Sequence, residues 1–158
     1  MLYAALKAVH LLSLIVWIGG MFFVLACLRP ALVTLEGPLR LKLMNEVLRR
    51  FFAVVGVAIG LILASGGWML WSAVRASTAA GLRFNMSLDW NAMIVLGLVM
   101  IAIFAHIRLN LFERFKRALQ AQDAPTAAAL LGRVRAWVLV NLAIGVIVVV
   151  VVRVGAAA

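Results

Sequence analysis

The sequence predicts an all-α membrane protein, an antiparallel bundle of four transmembrane helices with both termini on the outer side. Three observations carry that prediction. Of 158 residues, 67% are hydrophobic, and the mean hydropathy is +1.17, whereas a soluble domain is roughly half apolar. The apolar residues fall into four runs, each close to the ~20 residues that cross ~30 Å of hydrocarbon. Most of the charged residues lie in the joints between those runs. Backbone polar groups inside a bilayer must pair within their own segment, so the runs are helices. One domain over residues 1–158 is expected.

Span one is expected at about 3–28. It is too long for the apolar core of a cleavable signal, and Lys7 is its only leading charge. Pro30 lacks a donor and disfavours helical geometry at Arg29, so the helix should stop there. Glu36-Gly37-Pro38 reads as a turn. The stretch at about 39–50 reads as an amphipathic cytoplasmic helix, a lead-in to span two lying at the membrane surface. Leu41, Met44 and Leu48 lie near one face of it, with Arg40, Lys42 and Arg49 away from them. Span two is expected at about 51–74. Its Gly56-x-x-x-Gly60 allows close helix approach and is assigned to a contact within the chain. Span three is expected at about 90–111, with Ser87 or Asp89 as its cap. Asp123 and Pro125 mark a turn, so spans three and four should continue as a cytoplasmic helical hairpin over about 112–135. Span four, at about 136–152, is nearly all Val, Ile and Leu. Its Asn141 is expected to bond across to another helix. Trp68, Trp71 and Trp90 fall near the outer interface, where aromatic belts anchor helices.

The formal charge of +10 does not indicate a nucleic-acid partner, because the basic residues sit between apolar spans. Eleven of the 15 Lys and Arg residues fall on one side of the predicted topology and four (Lys7, Arg75, Arg83 and Arg153) on the other. The positive-inside rule puts the richer side in the cytoplasm. A multi-pass protein of the bacterial inner membrane follows, its partner the lipid bilayer itself. The Gly56/Gly60 face also permits a homodimer. The single cysteine excludes an internal disulfide, and Cys27 reads as a small core residue.

An ionisable residue inside a membrane helix is costly, so His10 in span one is the leading site candidate. Neutral imidazole is the commonest metal and haem-iron ligand. Trp17 and Met21 share its face. Lys7, one turn outward, either snorkels to the headgroups or meets an anionic group of a bound cofactor. His106, near the cytoplasmic end of span three, is a second candidate ligand or an interfacial residue. By helical rise it lies roughly 15 Å deeper than His10, too far to share one ion. Met21 is a thioether that with imidazole suits monovalent copper. Trp17 and Phe22 could wall a haem. No Ser-His-Asp set, paired intramembrane carboxylates or phosphate loop is present, which excludes hydrolytic and nucleotide chemistry.

Three segments then resemble a known family. HLLSLIVWIGGMFFVLACLRPA in span one, RRFF opening span two and RVRAWVLVNLAIGVIVVVVVRVG at the end are similar to the CopD-like family, named for copper-resistance protein D. The resemblance is strongest at His10, Trp17, Gly19, Gly20, Phe22, Arg29, Pro30, Arg50, Phe51, Arg135, Asn141, Leu142 and Gly145. It implies copper handling in the inner membrane with a periplasmic copper protein as partner. Longer members have about twice as many spans. A more distant likeness, through His10, Trp17 and Gly19, is to the HemJ-type four-helix protoporphyrinogen oxidase, which implies haem b.

The expected function is copper binding or transport at an outward-half site, with His10, Met21 and His106 as candidate ligands. The alternative is a haem-b protein for electron transfer or porphyrinogen oxidation, with a redox partner. There His10 would be axial, Trp17 and Phe22 would lie against the ring, and Lys7 would meet a propionate. If the chain is an enzyme, it is expected to be such a haem-dependent oxidoreductase. A third reading is a structural membrane subunit.

Overall fold

A computed structural model describes residues 1–155; residues 156–158 of the expected 1–158 unit lie outside them. The described chain is four long helices with no strand among the described residues. They are α1 (Leu2–Thr34), α2 (Gly37–Ala79), α3 (Leu88–Gln120) and α4 (Ala124–Gly155). The joints, 35–36, 80–87 and 121–123, are short, so consecutive helices run antiparallel. All four are long and apolar enough to cross a membrane.

Helix α1 packs along α2, and α3 packs along α4; α1 and α2 also touch α4. The buried residues of α4 (Ala127, Leu130, Val134, Val138, Asn141 and Val148) recur mostly at three and four residues. So do Leu41, Met44, Leu48, Phe52, Val55 and Ile59 of α2. That spacing keeps one stripe turned inward along each helix. The opposite faces are equally apolar: Leu12, Ile15, Val57, Val95 and Val146 are exposed, as befits side chains that meet lipid.

An aromatic junction ties three helices together. Phe52 of α2 meets Phe104 and Phe112 of α3 edge-on, at ring-centre distances of 5.9 and 5.1 Å. Trp17 of α1 meets Phe104 at 6.2 Å. Each such pair contributes about 0.5–1.5 kcal/mol beyond burial of its area. Two glycines let backbones approach beside it. A Cβ on Gly20 would fall 2.7 Å from the Phe51 ring, and one on Gly145 would fall 3.1 Å from both Ile18 and Met100.

Several expectations fail. Helix α1 does not stop at Pro30. A wide π-turn over Val24–Leu28, closed by the Arg29 N–H on the Val24 carbonyl, precedes a further helical turn at Arg29–Ala31. The wider turn relieves the clash between a proline ring and the carbonyl four residues back, and a proline opening the resumed turn needs no donor. The lead-in at 39–50 is continuous with span two and is not laid apart on the membrane surface. It is the first part of α2, whose buried stripe runs unbroken from Leu41 to Ile59. Helix α2 also runs on to Ala79, past the expected end at 74. Ser87 sits at the cap position of α3 but its hydroxyl makes no cap bond; the Asn91 amide donates to the Met86 and Ser87 carbonyls instead. The hairpin expected over about 112–135 is formed by the end of α3 and the start of α4.

Cys27 is exposed, not packed in the core. Gly56 and Gly60 are exposed, and a Cβ on either would meet nothing within 4 Å. Their close-approach face is therefore not used within the chain. Asn141 is 1% exposed and its Oδ1 has no hydrogen-bond partner among the described residues, so the bond expected across the bundle is not made there by that atom.

Candidate functional site

The buried stripe of α1 begins near its N-terminal end with His10, followed by Ser13, Trp17 and Met21. His10 is 8% exposed, and two neighbours on α2 hold its ring. Its Nδ1 lies 3.1 Å from Ser65 Oγ. The Ser65 hydroxyl donates to the Leu61 carbonyl at 2.5 Å, with the Ile62 carbonyl at 3.3 Å. A hydroxyl has one proton. With that proton on a carbonyl, Ser65 Oγ accepts from the imidazole, so Nδ1 carries the hydrogen and Nε2 keeps its lone pair. The second neighbour is Gly66: a Cβ there would lie 3.1 Å from His10 Cε1 and 3.4 Å from Nδ1. The glycine gives the ring its seat and Ser65 fixes its tautomer. An imidazole fixed through one nitrogen with the other free is the usual state of a metal-ligating histidine. Ser13 spends its hydroxyl on the Val9 carbonyl at 2.8 Å and leaves the ring alone. A cavity of about 270 Å³ lined by Leu6, Val9, Leu61, Ser65 and Trp68 opens beside this seat.

The other predicted residues do not gather at His10. Trp17 is buried but belongs to the aromatic junction, roughly 10 Å deeper by helical rise. Met21 is 1% exposed and roughly 16 Å along the same helix from His10, too far for both to bind one ion. Phe22 is 58% exposed and roughly 18 Å along the axis, so it does not wall a group held by His10. Lys7 is exposed. His106 is exposed and packs edge-on against Trp137 of α4, ring centres 5.4 Å apart. Ile18 and Met100 share one level, since both meet Gly145. Counted from that level His10 and His106 are roughly 21 Å apart in depth, and counted from the Trp17–Phe104 contact roughly 14 Å, too far in either case to share one ion. Among the described residues no three of His, Cys, Asp or Glu cluster as metal ligands.

Sequence reasoning missed Ser65 and Gly66 as the seat of the ring. Met93 lies in the N-terminal half of α3, at the same end of the bundle as the N-terminal half of α1. Its side chain is partly buried and packs against the core. The signal for Ser65 was weak but present: it is one of only two hydroxyl residues in the second apolar run.

Four long apolar helices define a multi-pass membrane protein, with a buried imidazole seated between α1 and α2. Over residues 45–154 the chain matches the family described as copper resistance protein D. It belongs to that family, CopD. The matched stretch covers nearly all of α2, with α3 and α4, and begins after the helix that carries His10. No curated protein and no solved structure matches the chain.

Proposed function

We propose that this CopD-family protein handles copper in the bacterial inner membrane, with His10 Nε2 as its primary ligand for monovalent copper. One observation carries the reading: Ser65 commits Nδ1 as a donor and leaves Nε2 with an unshared pair. Thioether and imidazole together suit monovalent copper, and Met93, partly buried at the same end of the bundle as His10, is the thioether we assign to pair with it in place of Met21. Copper is here the cargo, taken from the outer side, where the sparse charge of the joint at 80–87 puts the N-terminal end of α1 by the positive-inside rule. A periplasmic copper protein is the proposed donor.

The test is competition for monovalent copper between purified protein and a colorimetric chelator. One equivalent should bind, and His10→Ala should weaken binding at least tenfold, with Met93→Leu losing less. Unchanged binding in His10→Ala overturns the assignment. A strong visible haem band that disappears in His10→Ala replaces copper with haem b.

A further inference from the structure

The opposite end of the bundle holds a second cavity, of about 460 Å³, between α1, α2 and α4. Its walls are apolar, among them Val24, Leu41, Leu48 and Val138, and its rim carries Arg29, Arg40 and Arg135. The three arginines come from three different helices. Arg29 is close enough to Arg135 and Arg40 to be repelled by both. None of the three makes an ion pair among the described residues. Glu46 is taken by Arg49 and Arg50, and Glu113 by Arg108 and Lys116. Gathering three uncompensated guanidiniums is unfavourable unless an anion joins them. Guanidinium is also the side chain best shaped for phosphate.

We propose that this cavity binds an anionic phospholipid of the leaflet at the basic end, its phosphate on Arg29, Arg40 and Arg135 and an acyl chain along Val24, Leu48 and Val138. The apolar walls are what set a lipid apart from a free anion. A soluble phosphate satisfies the rim and leaves the walls empty. A zwitterionic lipid fills the walls and brings its own cation to the rim. Only an anionic amphiphile matches both parts of the site.

Native mass spectrometry of the intact chain in detergent tests this, with phosphatidylglycerol and phosphatidylcholine of identical acyl chains, and with inorganic phosphate as competitor. Phosphatidylglycerol should be retained and phosphatidylcholine lost. Each of Arg29→Gln, Arg40→Gln and Arg135→Gln should weaken retention roughly fivefold. Arg114→Gln/Arg117→Gln, on an exposed face of α3 at the same end, should leave it unchanged. Gly132→Leu tests the walls without touching charge: Gly132 lines the cavity and a Cβ there meets nothing within 4 Å. It should weaken lipid retention while the chain elutes and melts as the parent does. Equal retention of the two lipids overturns the proposal, as does equal loss in the Arg29 and Arg114/Arg117 variants. Displacement of the lipid by equimolar inorganic phosphate, or no effect of Gly132→Leu in a folded chain, reduces the site to one for a free anion and also overturns it.

Discussion

The two ends of the bundle place polar chemistry in opposite ways. At the end that holds the N-terminus one ring is isolated: His10 sits against Gly66, bonded to Ser65, and the nearby Lys7 is exposed. At the basic end three cations converge on an apolar cavity with no acid among them. A fixed neutral imidazole offers a lone pair, which suits a soft cation. Converging guanidiniums offer a positive field, which suits an anion. Between the two lies the aromatic junction, so each end can be altered without the other if the junction holds.

The largest expected effect comes from removing that separation. Phe52 is 3% exposed and contacts two rings of α3. Phe52→Ala should cost about 3–5 kcal/mol, as large-to-small core substitutions do, measured by reversible unfolding in mixed detergent micelles. A loss below about 1 kcal/mol would mean that the ends are not held by this junction. Next comes Ser65→Ala, which removes the acceptor of Nδ1. Copper affinity should fall about ten- to a hundredfold, with phosphatidylglycerol retention unchanged; a parallel fall in both would break the contrast between the ends. Smaller again is Gly66→Ala, whose Cβ would press on the ring at 3.1 Å, against Gly67→Ala, whose Cβ would meet nothing within 4 Å. Copper titration should separate the two variants, the first weakened by less than Ser65→Ala and the second unchanged.

The smallest effect concerns the joint at 121–123. The Asp123 carboxyl is held below its ordinary range, first by the Thr126 side chain and then by its backbone N–H, 3.1 Å from Oδ1. A depressed carboxyl contributes stability above its unfolded value, about 3.9, and loses it as pH falls through the lower folded value. Melting followed against pH should show a shallow acid limb below about pH 4 that is reduced in Asp123→Asn. An unchanged limb would remove Asp123 from the acid response.

The four helices were legible because lipid demands long apolar runs, and such runs are visible in any window of the sequence. Their ends were less so. Pro30 reads as a stop by local rules, yet a π-turn at Val24–Leu28 carries the helix past it. The stretch at 39–50 has the pattern of a surface helix, but the same pattern serves the buried stripe of a longer one. His10 was legible as the ionisable residue of its span. The pairing with Ser65, 55 residues away, is set by how two helices register, which no local pattern encodes. Arg29, Arg40 and Arg135 were counted as orientation signals, because a topology rule sums charge by side and is blind to convergence. The matched family stretch over 45–154 adds nothing to the reading of His10, which precedes it.

Helix α2 has a mechanical consequence. It is a single rod of 43 residues, roughly 64 Å long, about twice the hydrocarbon thickness. Arg40, at the rim of the lower cavity, and Ser65, on the imidazole, ride on it 25 residues or roughly 37 Å apart. A stiff rod of that span is a lever. Tilting it by about 5° about its arginine end would carry Ser65 sideways by roughly 3 Å, the length of the bond it makes to His10.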